Sequence, residues 1–156
     1  MVKSYRIWIH GVNIIPEFTK EYTGDDNGLR LNRTAFGAVV RQRKGTNNWF
    51  HLAIPTLTTI RDTHPLSTDA YLRFRINTGA VIRRIAVSLI RREADNIVYS
   101  QFWNSGEITI SGQKTEYHID FKDHLVGGPL VISTQVYFEA DDGEIRFLGA
   151  GGRFKA

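Results

Sequence analysis

The sequence predicts an all-β fold, an antiparallel two-sheet sandwich of jelly-roll type. Three observations predict it. Apolar residues recur at every second position in short segments, turn residues separate those segments, and no window of helical length carries an apolar stripe at helical spacing. The nearest to a helix is Ala80 to Arg92, whose β-branched residues favour a strand.

Taken in order, Tyr5, Ile7 and Ile9 alternate with Arg6, Trp8 and His10, and further strands are expected over 34–42 and 49–54. Ala70, Leu72, Phe74 and Ile76 alternate with Tyr71, Arg73 and Arg75, and Val81, Ile85, Val87 and Leu89 share one parity. Segments 97–103 and 107–111 follow, then Tyr117, Ile119 and Phe121, then Leu130, Ile132, Val136 and Phe138, and finally 144–148. The turns suggest how these strands join. Asp142-Gly143 reads as a tight hairpin that sets Phe138 opposite Phe147, Glu139 opposite Arg146 and Ala140 opposite Ile145. Thr78-Gly79 would pair Ile76 with Val81 and Leu72 with Ile85, and Ser105-Gly106 would bring Trp103 against Ile108. Longer connections near 16–33 and 122–129 suit the crossovers of a Greek key, the first being a polar, glycine-bearing surface loop.

The chain has 156 residues, 42% of them apolar, which is one domain (1–156) with enough surface to bury a core. It has no cysteine, which excludes disulfides, thiol catalysis and cysteine-bound zinc. No apolar run is long enough for a signal peptide or a membrane span, so a cytoplasmic location or a non-classical export route is expected. The net charge of +4 is a mild basic bias, below that of a dedicated nucleic-acid binder, and no aromatic RNA-binding motif accompanies it.

Three stretches belong together: Trp8-Ile9-His10-Gly11, Asn48-Trp49-Phe50-His51 running into Ala53-Ile54-Pro55-Thr56, and the closing Phe147 to Phe154. The set resembles a family of small bacterial all-β proteins with similar WIHG and NWFHxAIPT motifs and no assigned activity. The resemblance implies the fold and assigns no functional residue.

Catalytic and metal patterns are sparse. The histidines are His10, His51, His64, His118 and His124, with no His-x-His pair, and His118-x-Asp120 reads first as a solvated strand face. Asp25-Asp26-Asn27 offers oxygen atoms but lacks the spacing of a calcium loop and reads as turn chemistry. There is no Gly-x-Ser-x-Gly, and the acids between Glu139 and Glu144 sit at a wet tip. No cofactor is expected.

Binding chemistry is better represented. Closing at Thr78-Gly79 puts Arg73 opposite Arg84, with Arg75 on the same face. Like charges so placed need water, carboxylates or an anionic partner. Trp8, Trp49 and Trp103 lie on strands, and a surface indole stacks well on the apolar face of a sugar. The sequence therefore predicts a non-catalytic binding module for carbohydrate or another polar ligand. Its candidate ligand residues are Trp8, His10, Trp49, His51, Trp103, Arg73, Arg75 and Arg84. Two alternatives are a structural subunit that self-associates through sheet edges to form a homo-oligomer or filament, and an enzyme built around His10 and His51.

Overall fold

The computed structural model describes residues 4–20, 26–56, 66–93, 96–125 and 129–155; at 91–93, 96–98 and 122–125 it describes the backbone alone. The chain begins with β1 (Ser4–His10), a 3₁₀ turn (Gly11–Asn13) and the two-residue β2 (Ile15–Pro16). The hairpin of β3 (Arg30–Thr34) and β4 (Gly37–Arg41) follows, then β5 (Asn47–Ile54), β6 (Leu66–Ile76), β7 (Ala80–Glu93) and β8 (Asn96–Asn104). Last come β9 (Glu116–Leu125), β10 (Leu130–Phe138) and β11 (Glu144–Lys155). They form two antiparallel sheets. The first has the order β3-β4-β11-β6-β9, with β1 beside the later part of β11, and the second has the order β2-β5-β10-β7-β8. Among the described residues no helix is long and apolar enough to cross a membrane.

The core is the set of inward alternate side chains that the sequence periodicity marks. Phe50, Leu52, Ile85, Val87 and Ile132 line one sheet, and Leu72, Phe74, Ile145, Phe147 and Phe154 the other. Phe50 and Phe147 meet across the interior with ring centroids 5.4 Å apart. The family-like motifs serve this packing. Asn48 is fully buried, accepts from the Phe18 N–H (2.8 Å), and donates to the Phe18 carbonyl (2.7 Å) and the Gln42 amide oxygen (3.0 Å). Gly11 lies so close to β11 that a Cβ there would sit 1.9 Å from the Phe147 carbonyl oxygen.

The connections differ from the expected hairpins. β6 lies in the first sheet and β7 in the second, and β10 and β11 are divided in the same way. Thr78-Gly79 and Asp142-Gly143 are therefore arches between sheets. Phe138 pairs with Ala80 and Phe147 with Phe74, not with each other. Parity cannot tell the two cases apart, because an arch and a hairpin both leave Phe138 and Phe147 facing the interior. The two arches interlock. The Glu139 N–H donates to the Gly79 carbonyl (2.7 Å), and Glu144 and Asn77 exchange bonds with the neighbouring arch.

At Ser105-Gly106 the chain does not turn back but runs on beside β7. The Ser105 N–H donates to the Ile85 carbonyl and the Ile108 N–H to the Arg83 carbonyl, both at 2.9 Å. The segment 107–111 contributes only an isolated bridge, Ile110 to Ile82. The expected loop over 16–33 ends in an edge strand, β3, whose sequence Arg-Leu-Asn-Arg-Thr offers only Leu31 to the core.

Candidate functional site

Directly paired residues share a face of a sheet, so register shows what each outer surface carries. On the second sheet, Asn47, Trp49 and His51 of β5 pair with Tyr137, Gln135 and Ser133 of β10. Gln135 and Ser133 pair in turn with Arg84 and Ala86 of β7. The register slips between Gln135 and Val136, which faces Ile82. Ile82 and Ile85 are both fully buried, so the bulge between them turns Arg83 and Arg84 to the same outer side.

Part of this face borders a cavity of about 570 Å³ lined by Asn47, Arg83, Glu107, Ile108, Thr109, Gln135 and Tyr137. Trp49 continues the same face, two residues from Asn47 and opposite Gln135. The lining groups hold each other loosely. Arg83 is 3.5 Å from Glu139, 3.4 Å from the Thr109 hydroxyl and 5.6 Å from the Tyr137 ring centre. Arg84, next to Arg83 but outside the lining, is 3.9 Å from Glu107, and its Nε is buried without a partner. The side-chain amides of Asn47 and Gln135 and the Tyr137 hydroxyl make no hydrogen bond among the described residues. Donors and acceptors of several kinds are thus unspent around one concavity.

Further along β5, His51 is fixed from both ends, with Nδ1 2.8 Å from Ser133 Oγ and Nε2 3.0 Å from Glu17. The elements of a nucleophile relay are present in sequence order Glu17, His51, Ser133, but Ser133 is only 4% exposed. Its strand is paired on both sides, by β5 and β7, so the local backbone N–H groups are committed to ladders and none is aimed at an oxyanion. The relay orients His51.

The outer face of the first sheet carries a different arrangement. Trp8, Gly151, Tyr71 and His118 lie in one row across β1, β11, β6 and β9. Trp8 fits there because position 151 has no side chain: a Cβ would meet the indole at 2.6 Å. Tyr71 is 5.8 Å from Trp8 and stacks on His118 at 4.7 Å. The Arg73 guanidinium covers Trp8 at 4.3 Å and reaches Glu116 at 2.6 Å. Although Trp8 is 40% exposed, its row is already engaged with itself.

Asp69 anchors this layer. It accepts from Thr68 and His118, both at 2.7 Å, and lies 3.4 Å from Arg153. Burial alone would raise its carboxyl, but the Thr68 and His118 hydrogen bonds and the Arg153 and His118 charges together hold it below the ordinary 3.8. The folded state thus favours the carboxylate, so this stabilisation is complete above the unfolded value and fades as pH falls through the lower folded one. Asp69→Asn is expected to cost about 1–3 kcal/mol at pH 7 and to flatten the stability profile at the acid end. Urea melts from pH 7 down to the acid limb check it; an unchanged acid limb would refute the assignment.

The sequence candidates divide between the sheets. Trp8, Arg73 and Arg75 lie on the first, and Trp49, His51 and Arg84 on the second. Arg73 is therefore not opposite Arg84, since the turn between their strands is an arch; it pairs with Gly149 and Glu116. His10 and His51 are likewise in different sheets, and His10 accepts from the Val12 N–H (3.2 Å) to cap the 3₁₀ turn. Trp103 is partly buried, packed against the core and 6.4 Å from Tyr117. His118 is bound by Asp69 as above. Asp26 and Asn27 accept from Gly28 and Leu29, as turn-forming side chains do. Asp25 and His64 lie outside the described residues, as does the side chain of His124.

Sequence reading missed Asn47, Arg83, Glu107, Gln135 and Tyr137. One signal was available. The inward parity of β7 changes from even at Ala80 and Ile82 to odd at Ile85, Val87 and Leu89, which requires an extra residue between them.

No family model and no curated protein matches this chain. Among solved structures, the chain path is similar to a family 61 carbohydrate-binding module in complex with β-1,4-galactotriose. That likeness has a TM-score of 0.45 at 11% identity and covers 94% of this chain and 91% of that one. A mutant family 29 carbohydrate-binding module gives 0.43 at 8% identity, covering 97% and 92%. The family 22 xylan-binding domain from Paenibacillus barcinonensis gives 0.39 at 11% identity, covering 94% and 85%. At these values no residue role or ligand follows for this chain.

Proposed function

We propose that the protein is a carbohydrate-binding module and that the cavity on the outer face of its second sheet receives the sugar. The supporting observation is the convergence of free amide and hydroxyl groups and a loosely held guanidinium with aromatic surface. The amides of Asn47 and Gln135, the Tyr137 hydroxyl and the Arg83 guanidinium meet around about 570 Å³, with Trp49 alongside. A pyranose presents hydroxyls around its rim and C–H groups on its faces, and needs both kinds of partner at once. The volume lies within the range that small-molecule sites occupy.

The test is a glycan array followed by calorimetry on the strongest responder. Gln135→Ala is expected to weaken that interaction about fivefold to tenfold, the worth of one lost neutral hydrogen bond, with no change in melting temperature. A protein that binds no glycan on the array, or a Gln135→Ala variant that binds as tightly as the parent, would overturn the reading.

A further inference from the structure

The arginines on the outer face of the first sheet form three directly opposed pairs: Arg30 with Arg41, Arg6 with Arg153, and Arg75 with Arg146. Opposed like charges destabilise a sheet unless something offsets them. In the first pair Arg41 is held by Glu144 at 2.8 Å, and in the second Arg153 is held by Asp69 at 3.4 Å. The third pair has no such relief. Neither Arg75 nor Arg146 has an acidic partner among the described residues, and the Arg146 Nε is buried without a hydrogen bond. Arg75 also lines a cavity of about 420 Å³ with Asn77, Thr78, Gln113 and Thr115, whose side chains can donate hydrogen bonds.

We propose that Arg75 and Arg146 form an oxyanion site for the sulfate or carboxylate groups of an acidic polysaccharide. Two guanidinium forks and neutral donors beside a cavity match such a group, which accepts several charge-assisted bonds at once. The acids on this face are each taken up by another arginine, Glu144 by Arg41, Asp69 by Arg153 and Glu116 by Arg73, which leaves the charge of Arg75 and Arg146 for a ligand. Nucleic acid fits less well, because single-strand binding needs free aromatic faces as well as charge. On this sheet Tyr71 lies between Trp8 and His118, and Arg73 covers Trp8. The site is on the opposite sheet from the sugar cavity and does not rest on that assignment.

The experiment compares the parent with the double variant Arg75→Gln/Arg146→Gln in low salt. The probes are dextran sulfate, polygalacturonate, neutral dextran and a thymidine oligonucleotide. At least one acidic polysaccharide is expected to raise the parent's melting temperature and to bind the double variant at least about tenfold more weakly. Neutral dextran should have no effect, and response to sulfate or to uronate identifies which group is read. The ligand-free double variant is expected to melt no lower than the parent, since the substitutions relieve a repulsion. The proposal fails if neither acidic polymer binds, if the double variant binds as well as the parent, or if the oligonucleotide binds the parent as tightly as either polysaccharide.

Discussion

Replacing Gly143 by alanine is expected to destabilise the protein by about 3 kcal/mol, lowering the melting temperature by roughly 6–12 °C. A Cβ at this position would lie 2.2 Å from the Gly79 carbonyl oxygen and 2.9 Å from that of Ala140, so backbone and not a movable side chain stands in its way. Gly143 is absent from the glycines of positive φ, so the penalty is one of space and not of backbone conformation. The obstructing oxygen is the one that accepts from Glu139 and Ala140, so relaxing the clash means parting the two arches. Each arch carries the chain between sheets, and the damage therefore reaches both. Thermal melts by circular dichroism measure the effect; a shift of less than about 2 °C would show that the arches are not locked together in this way.

Truncating Tyr137 to alanine is expected to cost about 2 kcal/mol of glycan affinity, roughly thirtyfold. Its ring supplies an apolar wall to the cavity and lies beneath Arg83 at 5.6 Å, so on the proposed reading its removal loses contact with the sugar and frees the guanidinium to wander. Trp49→Ala is expected to act in the same direction from the neighbouring strand. Both side chains point away from the core, so the variants should retain the parent's melting behaviour. Tyr137→Phe separates the two contributions, since it keeps the wall and removes the hydroxyl. Calorimetry against the best array glycan decides the matter, and parental affinity in Tyr137→Ala with Trp49→Ala combined would move the site elsewhere.

The fold class was legible because alternation reports which side of a strand is buried, and burial of one side per strand defines a sandwich. Phe74, Val87, Ile132 and Phe147 all face inward as their spacing requires. Pairing was not legible. Asp142-Gly143 carries the composition of a hairpin turn, yet the strand after it finds better partners in β4 and β6 than in β10. That choice is made by packing across the whole domain, which a local turn signal does not contain. The error carried into the site, because Arg73 and Arg84 share a face only if the turn between them is a hairpin. Trp49 was singled out because indoles are conspicuous. Asn47, Gln135 and Tyr137 were missed because amides and a tyrosine on a strand look ordinary until register sets them around one hollow.

β11 contacts β1, β4 and β6 within one sheet, yet it comes after all of them in the sequence. β3 can pair with β4, and β6 with β9, but these pairs join into one sheet only when β11 inserts between β4 and β6. Because those pairings span most of the sequence, refolding belongs with the slow, non-local topologies that take milliseconds to seconds. Its vulnerable period is the interval before that final insertion, when long unsatisfied edges are open to aggregation.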